Sequence, residues 1–335
     1  MQTDSTTRRE FLKQAAAGVT MAALAQDVLA SQSTASATGL PTRALGRTGA
    51  RVSILCLGGW HIGSLKNDAE AIRIMHAAVD EGLTFFDNCW DYHDGGSEEL
   101  MGKALAGGKR EKVFLMTKNC ERDYEGSKRC LDDSLRRLQT DHLDLWQFHE
   151  IIYDSDPDWV FDRGGIKAAI EARKAGKVRH IGFTGHKDPR IHLAMLDKPF
   201  EWETSQMPIN VMDAHYRSFQ KQVVPVCLKK NVGVIGMKGF GGGSGIAAQA
   251  GLSAREAYRY ALSQPVASQV VGITSMEQLK ENIALARTFT PMSPAEQTAL
   301  LAKVRDVATD GRFELFKSSQ MFDGPVHRRQ HGFAT

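Results

Sequence analysis

From residue 54 onward, short runs of consecutive apolar residues alternate with longer stretches in which apolar side chains recur every three or four positions. The short runs predict strands at Ile54–Leu57, Leu83–Asp87, Val113–Lys118, Leu143–His149, Val178–Thr184, Thr204–Pro208, Gly233–Met237 and Gln269–Ile273. Several, such as VFLM and VGVIG, are continuously apolar, the pattern of a strand buried on both faces. The stretches between them, including AEAIRIMHAAVDEG, SEELMGKALAG, SKRCLDDSLRRLQ, IKAAIEARKAGK and SMEQLKENIALAR, predict amphipathic helices, several of which stop on glycine. The strand ends recur at intervals of about 30 residues, one strand and one helix each time. Eight such units predict an α/β fold, a (β/α)8 barrel of the TIM type. The rival, an open doubly wound sheet, calls for a glycine fingerprint after its first strand, and LCLGGWHIG contains no GxGxxG. Ahead of the barrel, RALGRTGARVS (43–53) predicts an N-terminal β-hairpin. After it, residues 290–307 predict an extra C-terminal helix, and Asp310 to Thr335 read as an irregular tail.

The first 37 residues belong to no such unit. TTRREFLK, with Arg8 and Arg9 followed by Phe11, Leu12 and Lys13, precedes an Ala-rich stretch from Ala15 to Ala25. This looks like a twin-arginine signal peptide, with small-residue cleavage sites ending at Ala30 or Ala37; an ordinary amphipathic helix is the alternative. The expected organisation is a signal and linker over 1–37 and one barrel domain over 38–335. The chain is expected to be periplasmic, with the twin-arginine export machinery as a partner and no stable membrane anchor after cleavage. At 335 residues, 42% hydrophobic and 24% charged, the chain can bury a large core. Its net charge of +3 comes without a basic run interleaved with aromatics, so no nucleic-acid partner is expected. The five cysteines form no CxxC pair, which leaves neither a disulfide framework nor a zinc site expected, and no metal ligand is assigned.

In a barrel of this kind chemistry sits where strands end at the C-terminal face. Three successive predicted strands end on Asp87, Lys118 and His149; another carries Gln206, and Tyr92 lies in the loop of FFDNCWDYHDGGSEEL. Asp87, Tyr92, Lys118 and His149 resemble the catalytic tetrad of the aldo-keto reductase family. The resemblance runs on through RALGRTGARVSILCLGG, FLMTK, LDLWQFHE, SQMPIN and VVGITSMEQLKENI. Carbonyl reduction by hydride builds negative charge on oxygen, which a positioned acid must meet. Tyr92 suits that role, with Lys118 expected to lower its pKa, Asp87 keeping Lys118 charged, and His149 orienting the carbonyl. The bland reading is a buried Asp87–Lys118 ion pair at the barrel mouth beside a surface tyrosine.

The resemblance implies a nicotinamide dinucleotide, NADPH by default with NADH possible, lying across the mouth. Gln206 would bind its carboxamide. Thr184 stands where the family usually has Ser in a Ser-Asn pair, so the Asn contact is missing; His186 follows two residues later. After strand seven the common Tyr-Ser-Pro-Leu becomes Met237-Lys238-Gly239-Phe240. Met237 can cover the nicotinamide face, and Lys238 with GFGGGSG can cradle the pyrophosphate. Gly272, Thr274, Ser275, Gln278 and Asn282 match the adenosine-side motif, in which no cation faces a 2′-phosphate. The function expected is reduction of an aldehyde or ketone, or oxidation of an alcohol. Two alternatives stand beside it: a tightly bound cofactor used in internal redox or epimerisation of a sugar-like substrate, and a cofactor-sensing regulatory module. Trp60, His61, Trp90, His93, Glu150, Phe313 and Phe316 are candidate pocket residues.

Overall fold

A computed structural model describes residues 34–35, 39–243 and 250–335. Its strands, in chain order, are β1 (Thr34–Ala35), β2 (Pro41–Ala44), β3 (Arg51–Ser53), β4 (Leu55–Gly58), β5 (Phe85–Asp87), β6 (Phe114–Asn119), β7 (Leu143–Phe148), β8 (Val178–Thr184), β9 (Thr204–Pro208), β10 (Gly233–Met237) and β11 (Ser268–Val271). Strands β4 to β11 are parallel and close into a barrel in sequence order, with β11 pairing back onto β4 through Val270↔Cys56 and its neighbours. Each barrel strand lies within two residues of its predicted bounds at either end. Continuous apolar runs work here because the barrel interior covers one strand face and the helices cover the other.

Among the helices, α1 (Asp68–Asp80), α2 (Gly96–Leu105), α3 (Tyr124–Leu138), α4 (Gly165–Lys174), α5 (Pro189–Leu196), α6 (Ala254–Leu262) and α7 (Met276–Arg287) pack outside the barrel. Their buried faces join the strands in one apolar layer, for example Ile74, Met75, Leu131, Ala169 and Ile283 against Leu57, Phe86, Trp146 and Phe183. A smaller cluster of Leu45, Val52, Cys56, Phe85, Met116, Leu145 and Ile235 includes inward-facing strand residues and the hairpin. The hairpin β2–β3, extended by β1, sits at the opposite end from the strand C-termini: Arg47 N–H donates to Asn231 O ahead of β10, and the buried Arg43 guanidinium donates to Val266 O and Leu262 O. Gly46 has φ 53, and a Cβ there would stand 2.2 Å from Gly233 N, so only glycine lets the turn meet the barrel so closely.

The extra helix, α8 (Pro294–Ala308), starts at a Ser293–Glu296 capping box and buries Leu300 and Val304 on Val211, Met212 and Tyr260. The tail is not irregular. It forms α9 (Leu315–Ser318) and α10 (Pro325–Gln330) and buries Phe316, Lys317 and His327 against the C-terminal face. Helices of four and six residues are too short to leave a periodic signal; their contacts, not their pattern, set them. Of the predicted signal and linker over 1–37 only Thr34 and Ala35, which pair with β2, are described; the rest, and residues 244–249 of the glycine-rich stretch, lie outside the described residues. No helix of the described residues is long and apolar enough to cross a membrane.

Candidate active site

Asp87 ends β5, and its register with Met116 brings it beside β6, where Lys118 follows two residues later. Both side chains are buried, and Lys118 Nζ donates to Asp87 Oδ1. The ammonium also donates to Asn88 O at 2.7 Å and to the Tyr92 hydroxyl at 3.3 Å. Tyr92 reaches this point from a tight loop: His93 and Asp94 have φ 54 and 55, and Gly95 at φ 90 turns the chain into α2. A Cβ on Gly95 would collide at 2.3 Å with the Arg137 guanidinium, which itself holds Trp90 O at 2.8 Å and Glu98 at 3.3 Å. The loop that carries Tyr92 is therefore clamped from α3.

His149 follows β7, its backbone N–H donating to Asn119 O at 2.8 Å. Its ring meets the Tyr92 ring edge-on at 5.8 Å. Nδ1 is turned toward Cys89 Sγ (3.1 Å), Cys120 Sγ (3.5 Å) and Asp91 Oδ1 (3.6 Å). Asp87, Tyr92, Lys118 and His149 thus form one contact group.

Its electrostatics follow from burial. Burial pushes the Asp87 carboxyl up, with Lys118 pulling the other way. Burial would lower Lys118, yet Asp87 beside it outweighs that and holds the ammonium above its ordinary value. The Tyr92 phenol is pushed well above 10 by burial and then by the charges of Asp87, Cys89, Asp91 and Glu150. This corrects the expected lowering by Lys118: desolvation and the surrounding anions together outweigh the one neighbouring cation. His149 is held well below 6.5 by burial and by His327 and Lys118, so its imidazole is neutral at neutral pH.

Gln206 on β9 donates from Nε2 to Asp87 Oδ2 at 3.5 Å, and its Oε1 is buried without a hydrogen-bond partner. Thr184 lies next to Gln206 in the β8–β9 register and is also buried. Met237 ends β10, and Lys238, at φ 54, sets its ammonium 5.3 Å from the ring centres of Phe316 and Phe322. Burial, together with Lys118, pulls Lys238 down to about 8, opposed by Glu150. Gly272 lies under the His61 ring, where a Cβ would come within 2.6 Å. Thr274 and Ser275 lead into α7; Thr274 N–H and Oγ1 both bond Gln278 Oε1, Ser275 Oγ caps Gln278 N–H at 3.2 Å, and Asn282 is buried one turn on.

Trp60, 52% exposed, stacks on His93 and stands edge-on to Tyr92 at 5.3 Å, which makes it an open wall beside the phenol. Trp90 instead donates to Asp133 on α3, and Phe313 packs beside α8; both serve packing. The tail adds residues that no motif announced. His327 places its ring 5.3 Å from that of His149, Gly324 N–H donates to Glu150 Oε2 at 2.7 Å, and Phe316 O lies 2.8 Å from His186 Nδ1. Asp91, Cys89 and Cys120 are further residues that sequence reasoning did not single out. Cys89 and Asp91 stand inside the loop motif of Tyr92, but their approach to Cys120 and His149 needs three strands aligned.

Residues 54–245 match the model of the aldo/keto reductase family. The uncharacterized oxidoreductase YrpG of Bacillus subtilis is 33% identical over 226 residues, covering 59% of this chain and 66% of that protein. The 6-dehydroglucose reductase of Novosphingobium aromaticivorans is 31% identical over 166 residues, 44% of this chain and 53% of that protein. The matches span between half and two thirds of these relatives. Among solved structures, aldo-keto reductase AKR11C1 from Bacillus halodurans, in its holo form, superposes with a TM-score of 0.68 at 24% identity, covering 79% of this chain and 96% of that one. An aldo/keto reductase from Klebsiella pneumoniae in complex with NADP and acetate gives 0.64 at 22%, covering 79% and 94%. Those two likenesses concern the fold; the matched family model, which spans most of the barrel and holds all four residues of the contact group, makes this chain a member of the aldo/keto reductase family.

Proposed function

We propose that this protein is a nicotinamide-dependent oxidoreductase that reduces the carbonyl of a small aldehyde or ketone, or oxidises the corresponding alcohol. The observation that carries the reading is the chain from the buried Asp87 through the buried Lys118 ammonium to the half-buried Tyr92 and its hydroxyl. A phenol pushed up by burial remains protonated, as a general acid must. As charge builds on a nearby carbonyl oxygen, Tyr92 gives up its proton, and the Lys118 ammonium 3.3 Å away stabilises the phenolate left behind. The neutral His149 imidazole, whose Nδ1 is engaged by the thiols, offers Nε2–H to the same oxygen and orients it.

The residues present fit a nicotinamide dinucleotide. The orphaned buried Oε1 of Gln206 calls for an N–H donor such as a carboxamide, Thr184 adds a hydroxyl beside it, and Met237 can cover a ring face. Lys238 is a cation for the pyrophosphate. Gly272, Thr274, Ser275, Gln278 and Asn282 would hold the adenosine end at the start of α7. When bound, the dinucleotide supplies the hydride. NADPH is the expected form and NADH the alternative.

Internal redox or epimerisation of a sugar-like substrate is the second reading. Glu150 and His186 offer polar partners suited to hydroxyl groups, and one relative is named for reducing a dehydroglucose. Export through the twin-arginine pathway to the periplasm also belongs to the proposal, on the strength of Arg8, Arg9 and the Ala-rich stretch.

Turnover of NADPH with a panel of carbonyls, in wild type and Tyr92→Phe, tests the assignment. Loss of about 10²-fold or more in kcat with dinucleotide binding retained is expected; unimpaired Tyr92→Phe would refute the role of the phenol. A protein that binds dinucleotide and turns over no carbonyl would favour a sensing module.

A further inference from the structure

Behind His149, on the side away from its proposed substrate role, lies a second constellation, of which carbonyl reduction uses only the His149 ring and its Nδ1 contacts. Cys89 and Asp91 follow β5, Cys120 follows β6 and His149 follows β7, so three adjacent strands deliver four side chains to one point. One ligating atom from each, Sγ, Oδ1, Sγ and Nδ1, lies within 4.8 Å of every other. Sγ lies 3.7 Å from Sγ, Nδ1 3.1 and 3.5 Å from the two sulfurs, and Nδ1 3.6 Å from Oδ1.

A tetrahedral zinc ion with Zn–S of about 2.3 Å and Zn–N or Zn–O of about 2.0–2.1 Å requires edges of about 3.8 Å between sulfurs, about 3.5 Å between sulfur and nitrogen, and about 3.4 Å between nitrogen and oxygen. The four edges among the sulfurs, Nδ1 and Oδ1 given above depart from these by about 0.4 Å at most, and the two sulfur–oxygen edges lie within 4.8 Å. Both thiols are free and buried, and Asp91 Oδ1 is buried, facing the group. When protonated, the thiols can donate to this carboxylate; when they are deprotonated, the same four atoms converge on a cation.

We propose that Cys89, Asp91, Cys120 and His149 form a structural zinc site. All four positions of the metal are then taken by protein, so it does not act on substrate. Binding releases the two thiol protons, and two thiolates plus one carboxylate against Zn²⁺ leave one net negative charge near the Lys118 cation. Metal on Nδ1 fixes the His149 tautomer with the proton on Nε2 and locks the ring plane. The assignment replaces the sequence expectation that no zinc site is present. Ligands drawn from three strand ends, at 89, 91, 120 and 149, show none of the short paired spacings by which zinc sites are read.

The test takes the full chain, purified and kept reduced with a phosphine, given one equivalent of zinc sulfate and desalted against a weak chelator. Wild type and a Cys227→Ser control should each retain one zinc per chain by mass spectrometry of the metal. Cys120→Ser and Asp91→Asn should lose affinity by about 100-fold or more. Cobalt(II) in place of zinc should give near-ultraviolet thiolate-to-metal absorption that disappears in Cys120→Ser. Circular dichroism checks that each variant is folded; should Cys120→Ser not fold, Asp91→Asn, which removes only the oxygen's charge, carries the comparison. Wild type that keeps no zinc with both thiols reduced overturns the proposal, as does folded Cys120→Ser and Asp91→Asn binding zinc like wild type. None of these readouts depends on turnover, so the metal site stands or falls separately from the reductase assignment.

Discussion

A lysine ammonium enclosed by a carboxylate, a backbone carbonyl and a phenol stays charged because of what surrounds it, and each partner depends on it in turn. Lys118→Met removes the cation and leaves Asp87 buried with only the long contact from Gln206. Stranding a buried charge costs roughly 3–5 kcal/mol, so the variant should melt earlier as well as lose activity. Thermal unfolding and turnover measured on the same preparation check both; full activity with an unaltered pH profile would show that Lys118 does not tune Tyr92. Asp87, Lys118 and His149 were legible in the sequence because each ends an apolar run, and Tyr92 through the resemblance of the four to the aldo-keto reductase tetrad. The electrostatic result was not. Whether Lys118 lowers the phenol depends on how deeply that phenol is buried and how many anions share its enclosure; Asp91 adjoins Tyr92 in sequence, but Glu150 comes from a loop whose approach no linear spacing encodes.

At the scale of elements the clearest divergence is the tail. Strands β6 to β9 announced themselves by composition, whereas α9 and α10 exist through their ties: Lys187 to Asp323, Tyr153 to Asp323 at 2.9 Å, His331 to Asp156 at 3.1 Å and Gln330 to Cys120 O at 3.0 Å. His327 is the most deeply set of these residues, with Arg122 at 3.3 Å, Glu150 at 3.9 Å and the His149 ring beside it. Burial, with Arg122 adding to it and Glu150 opposing, holds the imidazole down at about 4 against an ordinary 6.5. The unfolded chain therefore takes up a proton as pH falls through 6.5 while the folded chain does not until about 4. Stability is complete above 6.5 and is lost between these values, by about 3 kcal/mol from this residue. Melting temperatures from pH 7 to 4.5 should fall in wild type and fall less steeply in His327→Gln, which keeps an acceptor for Arg122. His192, also held at about 4 by burial, contributes a similar slope that the variant retains. Equal slopes in the two proteins would show that His327 is not held neutral.

For the whole molecule, the eightfold strand-and-helix rhythm made the architecture readable, since a closed parallel barrel buries every strand on both faces. The proposed export address lies outside that rhythm. Arg8→Lys with Arg9→Lys should leave specific activity unchanged and keep the protein in the cytoplasm; equal amounts of wild type and variant in the periplasmic fraction would dismiss the export reading. The closure of the mouth is uneven. Polar ties from the tail reach the loops after β6, β7, β8 and β9 through Gln330, Gly324, Phe316 and Lys317, whereas at the start of α7 Thr274 and Ser275 bond Gln278 of their own helix. Among the described residues, then, a long ligand laid across the barrel would be roofed at one end and more open at the other. Its exposed half would be free to peel away and rebind while its roofed half stayed put, so that departure would need two events in sequence. Under the export proposed from Arg8 and Arg9, that asymmetry would serve the protein, because what it carried out of the cytoplasm would be what it had to work with.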